Sequence, residues 1–512
     1  MSKAKQLMYN SKMKWRKNMK KPFNKEKYIE LQSESINKRI NQFDGLLYLE
    51  FGGKLFDDYH ASRVLPGFEP DMKIKMLSEI KDKIEIVITI NSNDIEKHKF
   101  RDDLGITYDE DVLRLIDAFR NNDLCVNSVV ITQYQSIPVV NSFKSRLEKL
   151  GIKVYLHYSI ENYPNDVSLV VSDEGYGKND FIEVNRSLIV VTAPGPGSGK
   201  MSFCLSQLYH HHKRGVKAGY AKFETFPIHN IPLNHPVNIA YEAATTNLND
   251  VNMIDPFHME AYGKVSVNYN RDVEVFPLLK TLLNKITNED IYESPTDMGV
   301  NMAGYCIDDD DAVCKASNDE IVRRYLDALV SYRKEKITKD VVEKNEILVN
   351  KAKLNSNYRE IVQVANTLAE ETNKPAVAIK LLDGRIITGK TTSLLGASSA
   401  ALLNAVKTIL NISDDVLLIS PEIIEPIREL KVNILGNNNP RLHLDETLIA
   451  LSIASLKDEN AKKALNQLAK LECINVHSSV ILSEVDVNVF KKLNMFLTQT
   501  PTYQSKKLYH KK

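Results

Sequence analysis

The stretch Ser187–Tyr209, SLIVVTAPGPGSGKMSFCLSQLY, constrains the fold most, because it joins an apolar, β-branched run to a helical segment through a glycine-rich turn. The run Ser187–Val191 reads as a strand. The turn is Pro194-Gly195-Pro196-Gly197-Ser198-Gly199-Lys200, and a helix begins near Met201. Strand, turn and helix in this order make an anion site. Residues without Cβ let backbone N–H groups approach a phosphate, the helix N-terminus adds partial positive charge, and Lys200 adds a full one. Gly195, Gly197, Ser198, Gly199 and Lys200 are therefore the candidate ligand-binding residues. The Walker A pattern is broken twice, since Pro194 stands at its first glycine and Met201 at its hydroxyl position. Ser202 comes one place late and points about 100° away around the helix, so the usual Mg²⁺ ligand is missing. The alternative is a tight strand-to-helix turn with a solvated lysine.

A second stretch, Gly384-Arg-Ile-Ile-Thr-Gly389-Lys390-Thr391, fits that pattern letter for letter. Its context differs. The apolar run Ala376–Leu382 ends in Asp383-Gly384, a strong hairpin signal, and Arg385–Thr388 reads as the returning strand.

From Leu46 to Gly219 apolar runs alternate with amphipathic segments. Leu47–Phe51, Ile84–Ile90, Ser128–Thr132, Val154–His157, Val167–Val171 and Leu188–Val191 read as strands. Glu110–Arg120 and Val140–Leu150 read as helices between them. This alternation predicts a parallel sheet covered on both faces, with ligands bound beyond the carboxyl ends of its strands. At 512 residues the chain is too long for one core. A net charge of +1 gives no global field for nucleic acid or membrane. Five scattered cysteines without a Cys-x-x-Cys pair argue for a reducing cytosol, and no zinc is expected. No apolar run reaches membrane-spanning length. Residues 1–25, with nine Lys/Arg and no acid, read as a disordered basic leader.

Further candidates lie at strand ends. Leu169-Val-Val-Ser-Asp173-Glu174-Gly175 looks like a Walker B strand, with Asp173 as the metal ligand and Glu174 orienting a nucleophile; ordinary turn chemistry is the alternative. The segment from Phe51 to Arg63 gathers glycines, acids, His60 and Arg63 into a candidate phosphate or substrate contact. Ala218–Asn301 is polar and turn-rich, the kind of stretch where active-site loops concentrate, and supplies Glu224 and Asp255. His210-His211-His212 diverge around a helix and read as solvated surface. Asp308–Asp311 reads as a helix cap or solvated loop. Ala316 to about Thr372 is helical by pattern. After it the hairpin, the small-residue helix Gly396–Leu410 and an expected strand Val416–Ile419 have a weakly cytidine-deaminase-like order. That chemistry needs His/Cys-x-Glu and Pro-Cys-x-x-Cys, which are missing here.

Long strings, among them LYLEFGGKLFDDYHASRVLPGFEPD, VSDEGYGKND, TAPGPGSGKM, GYAKFETFPI, DVNMIDPFHMEAYG, VNYNRD and SPTDMGVNMAG, resemble one bacterial family from about Met19 to the C-terminus. It is known as domain of unknown function 1846, or uncharacterised protein family 0371. The resemblance implies a multi-domain cytosolic protein and no established activity. The expectation is an α/β protein with a parallel, Rossmann-like or P-loop-like sheet (26–300), a helical subdomain (301–372) and a smaller C-terminal α/β subdomain (373–512). It would bind a phosphorylated small molecule or nucleotide such as ATP with Mg²⁺ and act in the cytoplasm, with homo-oligomer formation compatible with its composition. The residues suit phosphoryl or nucleotidyl transfer, with Lys200 neutralising charge, Asp173 and Glu174 at the metal, and His60, Arg63, Glu224 and Asp255 as secondary groups. The alternative is a non-catalytic nucleotide sensor or scaffold.

Overall fold

The computed structural model describes residues 21–101 and 104–504. The chain divides into two units, Met1–Ser317 and Asn318–Lys512. Of the expected basic leader, residues 1–20 lie outside the described residues. Of its remaining residues, Phe23 is fully buried against Tyr28 and Phe68, contrary to a disordered leader.

The first unit is built on a seven-stranded sheet. Its strands are β1 (Leu47–Phe51), β2 (Ile84–Asn91), β3 (Cys125–Thr132), β4 (Lys153–Leu156), β5 (Leu188–Thr192), β6 (Gly219–Phe223) and β7 (Gly299–Val300), in the spatial order β7-β6-β1-β5-β2-β3-β4. Every pairing is parallel. Sequence supports this directly: β2 reads IEIVITIN and is buried along its whole length, as a strand covered on both faces must be. Helix Tyr108–Arg120 packs beside it, its first turn closed by a capping box of Thr107 and Glu110. Among the described residues no helix is long and apolar enough to cross a membrane.

Three readings of this unit need correction. Val167–Val171 is not a strand: Val167–Val170 forms a helical turn, begun by Asp166, whose side chain accepts the Leu169 N–H at 3.0 Å. A short apolar run fits either state, and the cap decides. The polar stretch Ala218–Asn301 contains an 18-residue helix, Asn270–Thr287, with Val273, Phe276, Leu279, Leu283 and Ile286 buried. The three- and four-residue spacing was there in sequence, masked by Pro277. The histidine run is not all solvated. His210 bonds the Asn179 carbonyl at 2.8 Å, His211 Nε2 lies 3.0 Å from the Tyr48 hydroxyl, and only His212 is exposed.

Burial of imidazoles in this unit sets a pH dependence. Burial lowers His157 to about 3 and His211 to about 4. Below pH 6.5 the unfolded chain therefore takes up protons that the folded chain refuses. Stability is unaffected above that pH and falls as pH drops toward the folded values. For His157, which is buried, the slope approaches about 1.4 kcal/mol per pH unit. Urea titrations of His157→Gln at pH 7 and pH 4.5 should show a smaller acid loss than wild type. Equal losses would remove His157 from the account.

The second unit holds a four-stranded sheet. Ala376–Lys380 (β8) and Ile386–Lys390 (β9) form the expected antiparallel hairpin, with Gly384 in the left-handed region (φ +88). The Walker-like letters thus lie in a hairpin. A Cβ on Gly389 would come 2.1 Å from the Ala401 backbone N, so that glycine serves close helix packing. Strand β8 also pairs antiparallel with β10 (Asn475–Ser478), which pairs in parallel with β11 (Phe496–Gln499). The expected strand Val416–Ile419 is irregular, with Leu417 exposed, and the third strand is β10 instead.

Candidate functional site

Strand β5 lies between β1 and β2, and its carboxyl end opens into the loop Ala193–Gly199 before helix Lys200–Lys213. Gly197 and Gly199 are both left-handed (φ +78). A Cβ on Gly199 would sit 2.9 Å from the Thr132 side chain, and one on Gly195 2.2 Å from the Tyr108 hydroxyl, so two neighbouring elements crowd the loop from behind. Its carbonyls are tied down on that side. Thr132 Oγ1 donates to the Ser198 carbonyl at 3.0 Å, Asn91 Nδ2 to that of Gly197 at 3.3 Å, and Ser198 Oγ to that of Gly195 at 2.7 Å. The amides are different. Among the described residues no protein oxygen accepts from the N–H of Gly195 or of Gly197 through Ser202. Carbonyls held back and amides left without a protein partner are what an anion cradle requires.

Lys200 opens the helix at this point. It is half-buried by surface area, yet enough protein surrounds its ammonium that burial is the largest influence and lowers its pKa. Glu50 opposes that shift, while Lys222 and Arg271 reinforce it. Glu50 stands near the end of β1, in register with Val191 of β5 and Lys222 of β6, and accepts the Tyr220 hydroxyl at 2.8 Å. Beyond it lies a buried network. Lys222 bonds Asp272 and sits 3.9 Å from Glu224, which accepts the Tyr269 hydroxyl at 2.8 Å and lies 3.8 Å from His229 Nε2. Burial pulls the Lys222 pKa down, but Asp272, Glu224 and Glu50 outweigh it and hold the ammonium charged. Burial pushes the carboxyl of Asp272 up. For Glu224, His229 and Lys222 overcome burial and lower it.

The sequence-derived candidates separate accordingly. Gly195, Gly197, Ser198, Gly199 and Lys200 form the loop, and Glu224 belongs to the adjoining network. The reading of Asp173 and Glu174 as a Walker B strand end is overturned. They follow a helical turn, Asp173 bonds Lys213 and the Tyr209 hydroxyl, and Glu174 pairs with Lys178 at 2.6 Å. Tyr209 and Lys213 lie about 13 and 20 Å along the helix from Lys200 at the usual rise per residue, so this acid pair is at the helix's far end. Asp255 is fully buried and caps helix Pro256–Tyr262, accepting from the N–H of His258 and from both the N–H and the hydroxyl of Thr296. Its oxygens are structural. His60, on the short helix Tyr59–Val64 with Arg63, packs its ring on Phe226 and Tyr241. Met201 is half-buried at the hydroxyl position, and Ser202 after it is half-buried too.

Sequence reasoning missed Glu50, Lys222, Tyr269, Arg271 and Asp272. A signal existed for two of them. Glu50 and Lys222 are the lone charges inside the apolar strands LYLEF and GYAKF.

Elsewhere in this unit His235, Asp310 and Cys314 bring their ligand atoms within 4.8 Å of one another. His235 Nδ1 accepts the Val237 N–H at 3.2 Å, which leaves the proton on Nε2, where it is donated to Asp310 at 3.0 Å. In that tautomer the imidazole has no lone pair for a metal, and the trio is a hydrogen-bonded cap.

Comparison with known proteins places the chain. It matches the N-terminal domain of unknown function DUF1846 over residues 21–353 and the C-terminal domain of the same name over 357–509. A UPF0371 protein of Streptococcus thermophilus is 53% identical over 492 residues, covering 96% of this chain and 100% of the relative. One from Streptococcus pyogenes is 53% identical over 489 residues (96% and 99%), and one from Streptococcus sanguinis 52% over 489 (96% and 99%). The chain belongs to the DUF1846, or UPF0371, family.

Proposed function

We propose that this protein binds a nucleotide or another phosphorylated ligand on Gly195–Lys200, acts in the cytosol, and transfers a phosphoryl or nucleotidyl group to a small molecule. One observation carries the reading: the amides of Gly195 and of Gly197 through Ser202 have no protein acceptor among the described residues, while the carbonyls of Gly197 and Ser198 are fastened to Asn91 and Thr132. Several N–H groups, a helix N-terminus and an ammonium converge there, which is the electrostatics a phosphate needs. Burial lowers the pKa of Lys200, and an anion beside it would favour the charged form.

The acid paired with this loop is Glu50 in place of Asp173, since it stands near the end of the neighbouring strand and is the carboxylate that most favours charged Lys200. Mg²⁺, held by Glu50 with water and phosphate oxygens, would neutralise charge developing on the transferred group. Tyr220 orients Glu50 through its hydroxyl, and Glu224, 3.8 Å from His229, would receive a proton from the acceptor.

Calorimetry and melting against MgATP, MgGTP and inorganic tripolyphosphate test this. A ligand at a hundredfold its Kd should stabilise the fold by about 2.7 kcal/mol. Glu50→Gln should weaken binding when Mg²⁺ is present and leave the metal-free affinity within about twofold, whereas Asp173→Asn should match wild type in both. If none of the three compounds binds, the loop is structural. Binding without turnover in the presence of candidate acceptors favours the sensor alternative.

A further inference from the structure

We propose that the second unit pairs with a second copy of this chain through an apolar stripe on helix Leu444–Ala454 and the turn Leu430–Ile434, independently of any ligand on Gly195–Lys200. Helix Leu444–Ala454 reads LDETLIALSIA and turns Leu444, Thr447, Ala450, Leu451 and Ala454 into the core of its unit. A helix covered on one side only keeps polar residues on the other. Here the outer side carries Ile449 and Ile453, 60% and 46% exposed, and Leu456 just past the helix end is 83% exposed. Glu446, Ile449, Ile453 and Leu456 succeed one another by three and four residues, so they form one line along the surface.

A salt bridge continues that line onto the neighbouring turn. Lys431 Nζ meets Glu446 Oε2 at 2.7 Å, and Leu430, Ile434 and Leu435 around Lys431 are 47%, 74% and 70% exposed. The six aliphatic residues present on the order of 700 Å² to water. That exceeds the largest patch on a typical monomer, about 300–600 Å², and approaches the roughly 800 Å² that each partner gives a standard interface. The charge of the face decides what covers it. Lys431 is buried and bonded to Glu446 and to the Arg441 carbonyl, so the stripe offers no free cation to a phosphate backbone or an anionic lipid surface. In a two-fold contact each face meets its own kind. A net charge there would oppose itself, whereas a neutral aliphatic stripe does not.

Sedimentation velocity of the full chain over about 1–100 µM tests this, with circular dichroism to check the fold of each variant. Wild type should run at twice the chain mass at the upper end of that range. Ile449→Glu and Ile453→Glu each bring like charges together in the contact and should be monomeric throughout. Leu456→Ser removes only apolar area and should weaken dimer formation about tenfold or more. Ile347→Glu, at a comparably exposed aliphatic position on helix Lys339–Lys351, should pair as wild type does. A wild type that stays monomeric throughout, or a dimer that both Ile449→Glu and Leu456→Ser leave intact, overturns the assignment. Loss of the dimer in Ile347→Glu to the same degree as in the stripe variants overturns it too.

Discussion

Lys200→Met is expected to lose phosphate binding while the ligand-free protein melts no lower than wild type, an outcome few substitutions share. A charge-assisted contact to phosphate is worth about 1.5–3 kcal/mol, so affinity for MgATP or tripolyphosphate should fall by roughly ten- to a hundredfold. The stability arm has the opposite sign. Without ligand, Lys200 is an ammonium kept in a desolvating site, opposed by Lys222 and Arg271 and only partly answered by Glu50. Methionine fills a similar volume and removes that cost. The gain is modest, because the side chain is half exposed and water screens its charge. A structural lysine would behave otherwise: its loss would lower melting and leave affinity within about threefold. That pair of results would end the phosphate reading.

The glycine turn between strand and helix was legible because its signal is local. Glycines at 195, 197 and 199 beside an apolar run and a lysine describe one turn of backbone, and the folded turn uses Gly197 and Gly199 for positive φ and Gly195 and Gly199 for close approach. The acid proposed here to serve this loop was not legible in the same way. Sequence reasoning took Asp173, which precedes the loop by a short distance in the chain, whereas the sheet order brings β1 beside β5 and so brings Glu50 there instead. Adjacency of strands is a long-range fact that spacing does not carry. Asp272, Tyr269 and Arg271 were hidden for a related reason. They open a helix whose apolar spacing is interrupted by Pro277, so the segment looked like loop. The family strings GYAKFETFPI and VNYNRD contain Lys222, Glu224, Tyr269, Arg271 and Asp272, but resemblance alone did not say that these two strings meet. Conversely, His210 and His211 were dismissed as solvent-facing when their helix is buried on most sides, against Tyr48 and Phe181.

Two aspartates taken from sequence as catalytic should part company when replaced. Asp255→Ala removes the carboxylate that accepts from three donors: the N–H of His258 at 3.1 Å, the N–H of Thr296 at 3.1 Å and the Thr296 hydroxyl at 2.6 Å, of which only the hydroxyl has a second partner among the described residues, Ser266 Oγ at 3.2 Å. The site is fully buried, so water cannot replace the carboxylate. Loss of a buried charged acceptor that leaves donors unsatisfied costs about 3 kcal/mol or more. The first unit's urea midpoint should drop accordingly, and the closure of Pro256–Tyr262 against Ser294–Met298 should loosen in hydrogen exchange. Asp255→Asn should recover part of the loss, since its amide oxygen can still cap the helix. Asp173→Ala should leave the midpoint unchanged, because its ion pair with Lys213 lies in solvent. A catalytic Asp255 would give the reverse, a protein as stable as wild type that binds ligand without turnover. The contrast turns on burial: the same residue type is a cap where its oxygens are enclosed by donors and a surface charge where water surrounds them.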